Sequence, residues 1–213
     1  MLRLTSNERA VAEVAAIAEH VASLTAAAAA FQLVPDVPAA PADDSGRTLV
    51  PLLDEQSAPD AAATLGEIRA WTQATLNVHH VPAVWRAFAH QPRLLEATWR
   101  KDRLVMGEGV LDSLVKGCVA LAVAQFRHSP YWIGYFTHLL RKACRLDDRA
   151  IVEVAGAVMH YVSFNTVAHG MRLEAPVANI TAADVVTGGP LEHIIPPGAR
   201  KRGATRAPGE NES

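Results

Sequence analysis

The chain has 213 residues, of which 50% are hydrophobic and 20% charged, so it can bury one sizeable core and disorder is excluded as its main state. Twenty lysines and arginines against 22 aspartates and glutamates give a formal net charge of -2, which argues against a dedicated nucleic-acid binder. The two cysteines, Cys118 and Cys144, lie far apart and show no zinc-ligand spacing, which excludes a disulfide framework and favours a reducing, cytoplasmic environment.

The first predicted helix begins at a capping box formed by Thr5 and Glu8 and runs to about Phe31. Its apolar run, 21–31, is too short to span a bilayer and follows several acidic residues, so we expect no membrane segment. Three- and four-residue spacing predicts a peripheral amphipathic helix with an inward stripe of Val11, Val14, Ile17, Val21 and Leu24.

Prolines divide the chain into three regions, because they cluster before position 60 and again from Pro176 onward. Residues 1–58 are predicted to be the first helix and an extended, Pro-rich connector that wraps the surface. Residues 59–171 are predicted to be the helical core, and residues 172–213 a loose C-terminal arm that ends in a disordered basic tail.

The core region is predicted to be all-α, since apolar residues recur at helical spacing and no β-hairpin signal is present. Ser129 is expected to be the N-cap of the sixth helix, and Asp147 with Asp148 to cap the seventh. The seventh helix is expected to bury Ile151, Val154, Ala155, Val158, Val162 and Val167. The predicted helices run over Ala61–Leu76, Ala83–His90, Pro92 to Gly107, Leu111–Phe126, Pro130–Ala143 and Arg149–His169.

One segment of the core resembles a known superfamily. The run Ser129-Pro-Tyr-Trp-Ile-Gly-Tyr-Phe-Thr-His-Leu-Leu-Arg-Lys-Ala is similar to the Cys-x-Tyr-Cys, His and Leu-Leu-Arg-Lys-Ala-like pattern of the alkylhydroperoxidase D and carboxymuconolactone decarboxylase superfamily. The resemblance covers 111–171, and the segment 82–99 is similar to the leader of longer peroxidase-related members. It implies an AhpD-like helical bundle, with an N-terminal helical extension and a loose C-terminal arm in this chain.

The positions that carry peroxidase chemistry in this superfamily are occupied by other residues. Ser129 and Trp132 stand where the two cysteines would be, Phe136 where the histidine would be, and Gly117 where the relay glutamate would be. The family chemistry needs a thiolate at a helix N-terminus, because only a sulfur nucleophile passes through a sulfenic acid. The resemblance therefore implies the fold but argues against thiol peroxidase activity.

The two cysteines that are present are not expected to replace the missing pair. Cys118 lies on the apolar stripe of its helix, where a buried thiol is typically inert. Cys144 has cationic neighbours, but it lies at a helix C-terminus, where the helix dipole disfavours a thiolate.

Polar residues near the altered motif form a candidate site. Carboxymuconolactone-type decarboxylases in the same superfamily lack the cysteine pair, and the resemblance implies acid–base chemistry on an anionic lactone, with His138, Tyr131 and Arg127 as candidate catalytic residues. An arginine beside a helix N-terminus suits a carboxylate. Alternatively Ser129 is only a cap, Arg127 and His128 are solvated, and the aromatic residues are core. The candidate ligand-binding residues are Ser129, Trp132, Tyr135, Phe136 and His160.

Three functions remain open from the sequence. The first is a divergent member without thiol peroxidase chemistry that binds a small apolar or carboxylated molecule at the altered site. The second is a cofactor-independent decarboxylase- or hydrolase-type enzyme, and the third is a non-catalytic structural oligomer in which Trp132 and Phe136 fill that site. Neither a cofactor nor a metal is predicted, because His79, His80 and His90 lack a further ligand at a readable spacing. The expected partners are a small-molecule ligand and further copies of the chain, with no nucleic acid and no membrane.

Overall fold

The computed structural model describes residues 6–39 and 48–172, and all regular structure within these ranges is helical, which confirms the all-α prediction. Thr5 and the predicted C-terminal arm lie outside these residues. A short 3-10 turn at Pro59–Ala61 leads into the second helix. The helices of the described ranges are α1 (Ser6–Ala30), α2 (Ala62–Leu76), α3 (Ala83–Phe88), α4 (Pro92–Met106), α5 (Ser113–Phe126), α6 (Pro130–Ala143) and α7 (Asp148–Gly170).

The centre of the fold is the hairpin of α5 and α6, against which α1 and α2 pack. Small residues bring the two helices of the hairpin close together, since Ala120 and Ala124 are fully buried. A Cβ atom on Gly117 would lie 2.6 Å from Cδ2 of Leu140 on α6. Glycine at position 117 therefore permits the close approach of α5 and α6.

Helix α1 buries only part of its predicted stripe. Ile17, Val21 and Leu24 are buried, whereas Val11 is 70% exposed and Val14 is 39% exposed, so the prediction was wrong for the last two. The first half of α1 contacts the rest of the fold through a polar residue instead: Glu13 accepts hydrogen bonds from backbone amides of the loop after α4.

The Pro-rich connector enters the core instead of lying wholly on the surface as predicted. Asp36 and Val37 are both about 5% exposed, and one Asp36 carboxylate oxygen accepts a hydrogen bond from the Ala83 amide at 2.5 Å. Ala83 is the first residue of α3, so the carboxylate satisfies an amide that has no acceptor inside its own helix.

Helix α7 begins as predicted, with the Asp147 carboxylate accepting from the Ala150 amide at 2.9 Å. Its predicted burial was wrong, because none of its residues is buried in the part of the chain that the structure describes. Ile151 and Val154 are half-buried against the core, while Met159 and Phe164 are 69% and 60% exposed. No other described helix packs closely on the rest of α7, so its remaining apolar side chains stay exposed.

Two compact units divide the chain at residues 1–164 and 165–213, and the structure describes the second unit only from 165 to 172. Two of the described helices, Glu8–Ala30 and Asp148–Gly170, are long and apolar enough to cross a membrane by length and composition. This is weak evidence, since core helices of soluble proteins pass the same test, and α1 packs against α5.

Candidate functional site

The start of α6 is filled by aromatic rings where the superfamily pattern has its second cysteine and its histidine. Trp132 is 1% exposed, and its indole N–H donates to the Leu24 carbonyl oxygen on α1 at 2.8 Å. Its ring stacks on Phe136, with centroids 5.4 Å apart and planes 26° apart. These two residues occupy the space that smaller reactive side chains would need.

Position 117, where the resemblance places the relay glutamate, is crowded by a leucine of α6. Because a Cβ on Gly117 would lie 2.6 Å from Cδ2 of Leu140, a glutamate there would displace the buried Leu140 side chain. The structure thus provides neither a carboxylate at position 117 nor a thiol at position 129 or 132.

Tyr131 belongs to a buried polar cluster that joins α6, α3 and the connector. Its hydroxyl accepts a hydrogen bond from the Val84 amide at 3.1 Å, and burial, followed by the charge of Asp36, raises its pKa well above the ordinary value. Burial also raises the pKa of Asp36, against the opposing effect of the Ala83 amide. His80 donates through Nε2 to the Asp36 carbonyl oxygen at 2.8 Å. Sequence analysis missed Asp36, because the Ala83 amide that it accepts from is 47 residues away and no local spacing indicates the contact.

This cluster makes the stability of the protein depend on pH in a defined direction. Since burial raises the folded-state pKa of Asp36, its protonated form stabilises the fold, and that contribution is lost as the pH rises through the folded pKa. Asp36→Asn stays neutral, so its stability relative to wild type should rise between about pH 4 and pH 7. Urea unfolding of both proteins across this range measures the difference, and a difference that is flat or falls toward pH 7 would contradict the prediction.

His138 contacts a helix end. Its Nε2 lies 2.8 Å from the Leu76 carbonyl oxygen, and because a carbonyl only accepts, Nε2 carries the proton and donates it. Leu76 is the last residue of α2, and Asn77 after it has a left-handed conformation. The half-buried imidazole therefore caps α2, and its predicted catalytic role stays a prediction.

Ser129, Arg127, His128 and Tyr131 line one groove, of about 130 Å³, between the start of α6 and the end of α1. Ser129 is 8% exposed, and its hydroxyl makes no hydrogen bond among the described residues. Ser129 is the N-cap residue of α6 as predicted, but its hydroxyl makes no capping hydrogen bond, so the serine is left with a free donor and acceptor. The other residues that line this groove are Thr25, Ala28, Ala29, Gln32, Leu33 and Pro130.

Tyr135 and Phe136 line a different cavity, of about 140 Å³, between α2, α4 and α6. Sequence analysis did not associate α4 with the site, since nothing in the spacing of Asp102 and Arg103 shows which helix they face. His160 lies in neither space; its ring contacts Phe164, with centroids 4.6 Å apart. The remaining lining residues are Trp71, Thr75, Asp102, Arg103, Met106, Ser113, Leu139, Ala143 and Cys144.

Neither cysteine is activated. Burial raises the pKa of the Cys118 thiol and also that of the Cys144 thiol, so both are less often thiolates than a free cysteine. The cationic neighbours of Cys144 in the sequence do not reverse this direction.

The described fold matches a solved structure. It is similar to the crystal structure of an alkylhydroperoxidase AhpD core from Rhodospirillum rubrum, with a TM-score of 0.55 and 28% sequence identity over 62% of this chain and 97% of that chain. No protein-family model matches the sequence, and the curated proteins give no significant match. This similarity supports the resemblance to the AhpD-like superfamily that the sequence predicted.

Proposed function

We propose that this chain is a divergent AhpD-like protein that has no thiol peroxidase chemistry and binds a small carboxylated molecule at the start of α6. The observation that carries the proposal is the Ser129 hydroxyl, which lines the groove, is more than nine-tenths buried with its residue, and has no hydrogen-bond partner among the described residues. A hydroxyl that lines a groove and has no protein partner is free to donate a hydrogen bond to a ligand oxygen.

Two further groups in the groove favour a negatively charged ligand. Helix α6 begins at Pro130 and has 14 residues, so its first amide N–H groups point toward its N-terminal end without acceptors inside the helix. The Arg127 side chain is exposed at the groove and has no hydrogen bond or ion pair within the described ranges. A guanidinium beside a helix N-terminus is a suitable pair of donors for a carboxylate.

The loss of peroxidase chemistry is supported by the residues present. A peroxide is reduced by a thiolate that becomes a sulfenic acid, and a serine or a tryptophan cannot form that species. The two real thiols have raised pKa values, which lowers their nucleophilicity at neutral pH.

The proposal is tested by titrating the purified full chain with succinate and its C3 to C6 dicarboxylate homologues, using calorimetry and thermal shift. We expect Arg127→Gln to weaken binding at least fivefold and Ser129→Ala to weaken it measurably. The matched control is Arg93→Gln, which removes an exposed arginine on α4, outside the groove. If the Arg127 and Arg93 variants weakened binding equally, the proposed binding site would be wrong. If the chain reduced cumene hydroperoxide with dithiothreitol at an enzymatic rate, the proposed absence of peroxidase chemistry would be wrong.

Binding is favoured over the acid–base enzyme that the sequence left open. His138 and Tyr131 both bond to backbone groups, of Leu76 and Val84, and only Arg127 and Tyr131 line the same groove. Turnover by these three residues would instead predict that His138→Ala abolishes activity on a lactone while the melting temperature changes little.

We further propose that the chain forms a homo-oligomer in the cytoplasm and that a second copy covers α7. Val152, Met159, Tyr161 and Phe164 are each at least 60% exposed, and a helix that is apolar on several faces is normally buried. Asp148, Arg149 and Glu153 on the same helix favour a protein partner over lipid.

The expected oligomer has a mass that is a multiple of 22.8 kDa by light scattering. Met159→Glu should lower that mass, because a charge in an apolar interface is desolvated without a partner. Glu153→Gln, on the same helix and already exposed, is the control and should leave the mass unchanged. A wild-type mass equal to one chain would contradict the prediction.

A further inference from the structure

The cavity between α2, α4 and α6 contains an arginine that two tryptophans hold in place. The Arg103 guanidinium lies over the Trp71 ring, 4.5 Å from its centroid, and 5.3 Å from the centroid of Trp99. The two indole rings are themselves in edge-to-face contact at 5.8 Å. Such cation–π contacts fix the plane of the guanidinium before any ligand arrives.

This guanidinium lacks hydrogen bonds among the described residues. The nearest carboxylate oxygen, Oδ2 of Asp102, is 3.9 Å from Nη1, beyond hydrogen-bond distance, and Nη1 is buried without a partner. The other oxygen of Asp102 is 3.0 Å from Nε2 of the buried His20, so the negative charge of Asp102 is shared with α1. A third of the Arg103 side chain is still exposed, and it lines the cavity.

The hydroxyl of Tyr135 is a second polar group of this cavity. Tyr135 is 5% exposed, lines the cavity, and has no hydrogen-bond partner for its hydroxyl in the described ranges. Burial, followed by the charge of Asp102, raises the Tyr135 pKa well above its ordinary value, so the hydroxyl stays protonated and can donate. Arginine and tyrosine therefore both offer donors to the same cavity.

The rest of the cavity sets the size and the polarity of a ligand. Most of its wall is apolar, from Trp71, Met106, Phe136 and Leu139. Its volume of about 140 Å³ is close to that of engineered cavities of about 150 Å³ that hold benzene. The apolar part of a ligand therefore has the size of one six-membered ring or an equivalent aliphatic chain.

We propose that this cavity is a second ligand site, which binds a small monocarboxylic acid by its apolar body, with the carboxylate on the Arg103 guanidinium and the Tyr135 hydroxyl. It is distinct from the groove at Arg127 and does not rest on the function proposed there. A planar guanidinium pairs well with a carboxylate, and a desolvated pair of this kind is stronger than one in water.

The test is calorimetric titration of the full chain with benzoate and, as the neutral isostere, benzyl alcohol. Benzoate should bind and benzyl alcohol should bind at least tenfold more weakly. Arg103→Gln should weaken benzoate binding at least tenfold, because charge-assisted hydrogen bonds are lost. Arg100→Gln is the matched control on the same helix, 78% exposed and paired with Glu96, and should bind benzoate as wild type does.

A measurement without an Arg103 variant keeps the site testable if that variant fails to fold. Cys144 lines the cavity, so in a Cys118→Ser background benzoate should slow alkylation of Cys144 by iodoacetamide at least threefold. Because the groove at Arg127 is proposed to bind carboxylates as well, the protection of Cys144 is what assigns benzoate to this cavity, and Arg93→Gln, outside both spaces, should leave this protection unchanged. Benzoate binding that is equal in the Arg103 and Arg100 variants, lost in Arg127→Gln, or without effect on Cys144 would overturn the proposal.

Discussion

Trp132→Ala is expected to lower the free energy of unfolding by about 4 kcal/mol, the range found when a large buried aromatic side chain is removed. Trp132 is 1% exposed, and its ring contacts three aromatic neighbours, Tyr131, Tyr135 and Phe136. The substitution also leaves the Leu24 carbonyl oxygen without its indole donor. Urea denaturation followed by circular dichroism measures the change.

Two companion variants test this interpretation: one separates the effect of the lost side-chain volume from that of the lost hydrogen bond, and the other removes an exposed aromatic ring. Trp132→Phe keeps an aromatic ring but removes the N–H, and should cost clearly less than the alanine variant, about 1 to 2 kcal/mol. Phe126→Ala removes an aromatic ring that is 54% exposed and should cost less than about 1 kcal/mol. If Trp132→Ala were no more destabilising than Phe126→Ala, Trp132 would not be the core residue that the structure indicates.

Lys116→Met is expected to lower the free energy of unfolding by about 3 kcal/mol, as is typical when one partner of a buried charge cluster is removed. The Lys116 side chain is 2% exposed, and its ammonium donates to the carbonyl oxygens of Val105 at 3.0 Å and Gly107 at 2.8 Å, at the end of α4. It also lies 3.3 Å from Glu13 on α1, and methionine fills a similar volume without replacing any of these bonds.

Lys101→Met provides the matched control, because Lys101 also pairs with a glutamate of α1, Glu19, at 2.5 Å. Lys101 is 43% exposed, so solvent screens this pair and its loss should cost only a small fraction of the Lys116 effect. Equal destabilisation by the two lysine variants in urea unfolding would contradict the role of burial at Lys116.

The α4–α5 loop shows why Lys116 could not be interpreted from the sequence. Glu13 accepts from the amides of Val110 and Leu111 at 2.6 and 3.0 Å, and a Cβ on Gly109 would lie 2.4 Å from its carboxylate. These bonds join positions nearly a hundred residues apart, so no local spacing indicates them. They hold α1, which the sequence indicated as a peripheral helix, on the loop before α5.

Helix positions were predictable where local signals agree. Pro92 and Pro130 stand in the first turns of α4 and α6, and the predicted α6 has the bounds that are observed. The burial of α7 was not predictable, because its apolar spacing is the same whether a neighbouring helix of this chain covers it or another molecule does.

The candidate site was predictable in part. Ser129, Trp132 and Phe136 were singled out from the sequence, and all three lie at or in α6, but Ser129 lines the groove and Phe136 lines the other cavity. The cavity with Arg103 was not found, since its polar residues come from four helices, α2, α4, α5 and α6, that are separated in the sequence. Periodicity identifies which residues face inward, but it does not identify which faces meet.

The sequence by itself determined that this protein is all-helical and that it resembles the AhpD-like superfamily. These properties depend on residue identity and on spacing within one helix. Only the tertiary structure decided that Trp132 is buried against α1, that the Ser129 hydroxyl is unpaired, and that two tryptophans hold Arg103 at a cavity. The physical reason is that these properties arise from contacts between helices distant in the chain, whose mutual packing depends on side-chain volume throughout the core.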